Sequence, residues 1–335
     1  MRNTERRASC TLEILILVVF SLFLGSCTDF NLDPIFWTLA NEETLEDDKG
    51  FEDSVTVFRL GKLGSTYYVA ANQVYYRPVD SSEVWNIVEP PQTGALSNTL
   101  LVFTGEVVAG FYDSLTGVGI GLWKFTDPSD PDPSDPSITP WTKITDTDLV
   151  DATDTDKQIV MLQEAGGHLF VATVSADGYS LYYGDTNSVT PLTIGGNTTV
   201  ATPIVDITSD GTNFWFITGV ELYTDTINPP TAFTLAAGAP SVSKHFGGVY
   251  WSADHGKLYV SSQDGKLHTF NGGWISSDEN TVDSDQIPFW NFLELNPGGG
   301  DIFVGTAAFG YYRINAGDIT DIERQPYYNI SELYN

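Results

Sequence analysis

The chain has 335 residues, of which 41% are hydrophobic and only 18% charged: enough apolar material for a large core, too little charge for a disordered polymer. Abundant aromatics (19 Phe, 16 Tyr, 8 Trp) and 31 Gly favour strands and turns over helices. With 44 acidic against 15 basic residues the net charge is −29, a surface that repels phosphate backbones and excludes nucleic-acid binding.

The N-terminus reads as an address. Arg2, Arg6 and Arg7 form a basic start, and Ile14–Leu24 is an 11-residue run, apolar except for Ser21. That is too short to span a bilayer and has the length of a signal-peptide core. The run closes in Leu24-Gly25-Ser26-Cys27, which resembles a bacterial lipobox. The resemblance implies cleavage before Cys27, lipid on its thiol and acylation of the new amino group. We therefore expect a signal peptide over 1–26, a lipidated cysteine and tether over 27–50, and a folded body over 51–335. Cys10 and Cys27 are the two cysteines, so such a mature protein has no disulfide and its core alone holds the fold. Removing 1–26 leaves 12 basic and 42 acidic residues, a charge of −30 over 309 residues. Acyl chains would then hold the protein at a membrane, with no basic patch for anionic lipid. The expected location is the bacterial cell envelope, periplasmic or surface-exposed.

The body repeats itself. A pattern of two apolar residues, usually Val, any residue, then Ser, Thr or Ala recurs as Tyr67–Ala71, Leu100–Thr104, Leu169–Thr173, Phe214–Thr218, Leu258–Ser262 and Ile302–Thr306. The last four copies start 45, 44 and 44 residues apart, the period of a four-stranded propeller blade. After each copy a second strand is predicted, at Val74, Leu122, Ser180, Val220, Lys266 and Gly310, across tight turns that read as hairpins. A third is predicted at Trp85, Trp141, Pro191, Ala232, Gly273 and Ile319, and one strand precedes each copy. The second copy departs from the rhythm: its hairpin looks stretched by Val107–Gly119, and the Pro/Asp run 127–140 reads as extended and solvated. Strands apolar at both parities point to sheets stacked face to face. The expected fold is an all-β propeller of six blades, or seven if the β-like pieces Ile35–Ala40 and Tyr327–Asn335 complete another.

Few residues suggest chemistry. Ser252–Tyr259 is similar to the Asp-box of sialidase-type propellers, and Ser175–Gly178 and Thr208–Gly211 share part of it. All three read as hairpin turns in which Ser and Asp cap backbone N–H groups. A sialidase needs an arginine cluster, but after residue 26 the chain has only Arg59, Arg77, Arg313 and Arg324. His168, His245, His255 and His268 show no metal-ligand spacing. The acidic stretch 145–156 (Asp146, Asp148, Asp151, Asp154, Asp156) offers carboxylates to Ca²⁺ but lacks the Gly and terminal Glu of an EF-hand loop, so it reads first as a solvated connector. Trp37, Trp215, Trp251 and Trp290 are either a carbohydrate-stacking rim or, as is commoner, core filler between blades.

Cys27, the segment Asp33–Glu43, an acidic spacer and the first repeat Val55–Pro78 together resemble a group of spirochaete propeller lipoproteins. The likeness covers about the first quarter closely and the rest as propeller rhythm. It implies envelope localisation and fold, and it carries over no catalytic residue. The expectation is a non-catalytic scaffold, without cofactor, for a glycan or a protein, the latter basic to match the acidic surface. The alternatives are a propeller that assists outer-membrane assembly and a glycan hydrolase or lyase.

Overall fold

A strand that is apolar at both parities must be covered on both faces. The computed structural model, which describes residues 58–79, 85–125, 141–150, 156–277, 289–293, 301–306 and 311–324, solves this by stacking sheets. Among the described residues there are six, each of successive antiparallel strands. The first holds β1 (Arg59–Leu63), β2 (Thr66–Ala71), β3 (Gln73–Pro78) and β4 (Asn86–Ile87). The second holds β5 (Ala95–Phe103), β6 (Glu106–Asp113), β7 (Gly119–Phe125) and β8 (Thr142–Lys143). The third holds β9 (Gln158–Ala165), β10 (His168–Ser175), β11 (Gly178–Gly184) and β12 (Val189–Pro191). The chain then crosses as β13 (Thr193–Ile194) to pair in parallel with the outer strand of the fourth sheet, β14 (Ile204–Ser209), β15 (Phe214–Thr218), β16 (Leu222–Asp225) and β17 (Ala232–Leu235). The fifth holds β18 (Phe246–Ser252), β19 (Lys257–Ser262), β20 (Leu267–Phe270) and β21 (Trp274–Ser276), and the sixth β22 (Phe289–Leu293), β23 (Ile302–Thr306), β24 (Tyr311–Ile314) and β25 (Ile322–Arg324). The arrangement is all-β and propeller-like.

Each core lies between two neighbouring sheets. In β15, Phe214 and Phe216 pack toward the third sheet with Phe170 and Ala172, while Trp215 and Ile217 pack toward the fifth with Leu258 and Val260. In β10, Phe170 and Ala172 face one way and Leu169 and Val171 the other. Two further clusters join the first sheet to the second (Tyr68, Ala70, Val107, Ala109) and the fifth to the sixth (Tyr259, Leu267, Ile302, Val304). The first strands touch in sequence: β1 against β5, β5 against β9, β9 against β14, β14 against β18, β18 against β22.

That approach needs local devices. Five first strands carry a register shift near their start, at Leu96/Thr99, opposite Ala172/Thr173, at Ile204/Asp206, at Phe246/Gly248 and at Phe289/Phe292. Bulges of this kind increase strand twist and bend the strand. Two glycines leave room for the next sheet. A Cβ on Gly110 would stand 2.4 Å from Cβ of Ile159, and one on Gly247 would stand 2.0 Å from the backbone oxygen of Phe289.

The second copy corrects the sequence reading. Leu100–Thr104 is not the second strand of its sheet but the end of the first, β5, and Val107–Asp113 is no stretched hairpin but the second strand, β6. Leu100–Phe103 mimics the repeat because a first strand is also apolar at both parities. In the third copy the outer strand is Val189–Pro191, just before the expected site, because Thr193–Ile194 leaves for the next sheet. The segments 1–57, 127–140 and 327–335, and with them the signal, lipobox, Pro/Asp run and terminal pieces, lie outside the described residues.

Replacing Gly110 or Gly247 by Ala should lower stability by about 1–3 kcal/mol, the usual effect of overpacking. Gly273→Ala, where nothing lies within 4 Å of the added carbon, should change it little. Urea unfolding of the three variants checks the contrast; equal effects would contradict the proposed close contacts.

Candidate functional site

Polar side chains take part in the junction of the fourth and fifth sheets. Asp206 lies in β14 where the aligned first strands carry Thr99, Met161 and Gly248. Its two carboxylate oxygens accept the N–H of Ile207 at 2.9 Å and that of Val249, in the next sheet, at 3.0 Å. Two residues on, Thr208 Oγ1 accepts the N–H of Trp251 at 3.1 Å. The pair ties β14 side chains to the β18 backbone. Burial pushes the Asp206 carboxyl up to about 6, against the opposing pull of the Val249 N–H, the charge of Arg59 and the Ile207 N–H.

At the end of the fifth sheet where β18 begins, a second polar group links three segments. Asp264, in the β19–β20 turn, accepts both the N–H and the hydroxyl of Ser243 at 2.9 Å and the hydroxyl of Ser262. Burial raises the Asp264 carboxyl, but these hydrogen bonds outweigh it and hold the group below the usual carboxylate range. His268, 2% exposed, places Nδ1 2.8 Å from Ser276 Oγ, and its buried Nε2 has no hydrogen-bond partner among the described residues. Burial lowers His268 to about 4, with Asp264 acting against it and Lys266 with it. The ring is therefore neutral near neutrality. Ser276 sits on the Nδ1 side and Asp264 is held by serines, so these groups form no Ser–His–Asp relay.

The remaining histidines are apart. His168 Nε2 is 3.1 Å from Asn228 Oδ1, His245 Nδ1 is 3.1 Å from the Gly219 carbonyl, and His255 packs on the Tyr259 ring. No group of three His, Cys, Asp or Glu suited to a metal occurs among the described residues. In the acidic stretch, Asp146 accepts the N–H groups of Asp148 and Val189, and Asp156 is 2.5 Å from Lys143 Nζ; residues 151–155 lie outside the described residues.

The Asp-box-like segments are turns, as expected. Asp210 Oδ1 accepts the N–H groups of Thr212 and Asn213 at 2.7 and 2.6 Å, and Ser209 Oγ accepts that of Gly211 at 2.9 Å. Ser252 Oγ accepts from His255 N and Ser175 Oγ from Asp177 N, both at 3.3 Å. Of the four tryptophans, Trp215 and Trp251 stack at 5.5 Å inside the core between the fourth and fifth sheets. Trp37 and the side chain of Trp290 are outside the described residues, as is Cys27. Nothing singled out Asp206 in the sequence; the signal available was a carboxylate between the apolar residues Val205 and Ile207 of a first strand.

No family model matches the chain, and no curated protein matches it in sequence. Solved structures share its fold. It is similar to the extracellular domain of BT4673 from B. thetaiotaomicron, described as a hybrid two-component system, with a TM-score of 0.56, 11% identity and 79% of this chain covered. The chain spans about a third of that structure, 33%. It is also similar to YCF48, solved bound to a D1 peptide, with a TM-score of 0.51 and 12% identity over 79% of this chain and 81% of the other. At these identities the likeness defines the propeller-like fold.

The two buried titrating groups make opposite demands on acid stability. As pH falls from about 6.5 to about 4 the unfolded chain takes up a proton that folded His268 refuses, so that group destabilises the fold. From about 6 down to 3.8 folded Asp206 takes up its proton first, so that group stabilises it. Asp206→Asn should lose stability more steeply than the parent between pH 7 and 4, and His268→Asn less steeply. Denaturation midpoints across that range decide; three parallel curves would refute the assignment.

Proposed function

We propose that the protein is a lipid-anchored, six-bladed β-propeller of the bacterial envelope that binds a basic protein partner without transforming it. The observation that carries the reading is that the turns at the sheet ends are locked by their own carboxylates. Asp113 accepts the N–H groups of Leu115 and Thr116 and the Thr116 hydroxyl. Asp185 accepts those of Asn187 and Ser188, and Asp318 those of Thr320. Rigid loops on a stacked frame lower the entropy lost on binding, and the charge of −30 left after residue 26 selects a basic surface and speeds its approach. A propeller of similar fold holds a peptide in YCF48, and the BT4673 domain is extracellular, which supports the location. The core position of Trp215 and Trp251 favours a protein over a stacked sugar. The anchor rests on Leu24-Gly25-Ser26-Cys27, and the likeness to spirochaete propeller lipoproteins agrees with it.

Six blades closing on themselves account for two faces beyond the five inter-sheet cores. Val69 and Ala71, on the face of the first sheet away from the second, are each 1% exposed, and Phe303, on the face of the sixth away from the fifth, is 7% exposed. Val69→Asp and Phe303→Asp should each destabilise by several kcal/mol, the effect of an unpaired buried charge. Near-neutral effects in denaturant titration would mean these faces do not meet in a closed ring.

Fatty-acid labelling of expressing cells should mark the protein and lose the mark in Cys27→Ser, with the precursor accumulating uncleaved. Labelling that persists in the variant would sink the anchor. Protease treatment of intact and permeabilised cells then distinguishes a surface partner from a periplasmic one.

A further inference from the structure

Asn271-Gly272 is the only Asn-Gly pair in the chain. It forms the turn between β20 and β21, where Asn271, Gly272 and Gly273 are all exposed. Gly272 has φ +73° and nothing within 4 Å of where a Cβ would stand, and it has no side chain of its own to hinder its nitrogen. Among the described residues neither the Asn271 carboxamide nor the Gly272 N–H has a hydrogen-bond partner; the one bond of the turn runs from Asn271 N to Gly273 O at 3.3 Å.

The chain's own comparable turns are locked. Asp210-Gly211 has its carboxylate held by Thr212 and Asn213 and its glycine N–H by Ser209 Oγ. In Asp264-Gly265 the carboxylate is held by Ser243 and Ser262, and the Gly265 N–H donates to the Ser262 carbonyl. Gly178, after Asp177, is fixed opposite Ser175 in the β10–β11 ladder. Other asparagines are occupied: Asn98 by Tyr112, Asn187 by Lys124, Asn213 by Asp210 and Asn315 by Arg313.

We propose that Asn271 is a site of spontaneous modification, at which this protein deamidates as it ages. The deprotonated Gly272 nitrogen attacks Asn271 Cγ; the new C–N bond closes a five-membered succinimide, the Cγ–Nδ2 bond breaks and ammonia leaves. Water then opens the ring at either carbonyl, leaving aspartate or, with one more carbon in the backbone path, isoaspartate. Either product adds a negative charge. Isoaspartate also lengthens the turn that sets β21 on β20, where Phe270 pairs with Trp274 and His268 with Ser276. The ring contact of Phe270 with Trp274 at 5.1 Å and the His268–Ser276 hydrogen bond depend on that register.

The test is to age the purified full-length protein in mildly alkaline buffer, map its peptides by mass and quantify isoaspartate. Loss of amide at 271 should outpace loss at Asn197, which is exposed but followed by Thr198, by at least an order of magnitude. Isoaspartate should concentrate in that peptide and be absent from the same peptide of Asn271→Ser. An amide at 271 that survives as long as that of Asn197 overturns the proposal. So does isoaspartate that collects instead at Asp210 or Asp264.

Discussion

The fold depends on every central strand being covered on both faces. β15 shows the principle in five residues: Phe214 and Phe216 enter one core, Trp215 and Ile217 the next. Such a strand has no polar face to spend on water, so its sheet is stable only between two others. This agrees with a composition in which only 18% of residues are charged. The central strand β15 carries no charged residue, and charges in other strands, such as Lys124 and Glu106, pair with one another.

Stacking two-faced sheets brings their first strands close together, and the chain meets that crowding in several ways. Bulges bend five of these strands near their start. Gly247 lets β18 approach the β22 backbone, and β13 crosses from the third sheet to the fourth. Between β14 and β18, Asp206 and Thr208 accept backbone N–H groups of the facing strand. An unmet N–H inside the fold costs more than the hydrogen bond returns, which gives a carboxylate a structural use there. Its cost appears in the raised Asp206 carboxyl.

The period of the last four copies and the two-faced strands made the sheets legible, because both are local consequences of one repeated unit. The Ser252, Ser175 and Thr208 turns were legible for the same reason: Ser, Asp and Gly at fixed offsets make a turn wherever they stand. Leu100–Thr104 misled because a first strand and a second strand obey the same rule of apolar residues at both parities. What separates them is which neighbour they touch, and one strand's sequence does not record that. The departure of Thr193–Ile194 to the fourth sheet was hidden likewise. Asp206 and His268 were illegible because their character comes from burial, which depends on how the sheets stack; the Asp206 partner Val249 lies 43 residues away, and although Ser276 and Asp264 are close to His268 in sequence, nothing in that spacing says that the ring between them is buried.

The same hydrogen bonds that make the turns rigid also keep them charged. The Thr116 N–H holds the Asp113 carboxyl below its ordinary value, the Asn187 N–H does so for Asp185, and the Thr320 N–H for Asp318. A carboxylate that accepts backbone N–H groups resists protonation because losing the charge also weakens the turn. Rigidity and negative charge are therefore not independent properties of these loops but one property seen twice. On the function proposed above, a basic partner meets negative charges already fixed in direction, with little loop entropy left to lose. Conditions mild enough to leave the turns folded leave the charge in place, so the binding face and the frame that presents it fail together.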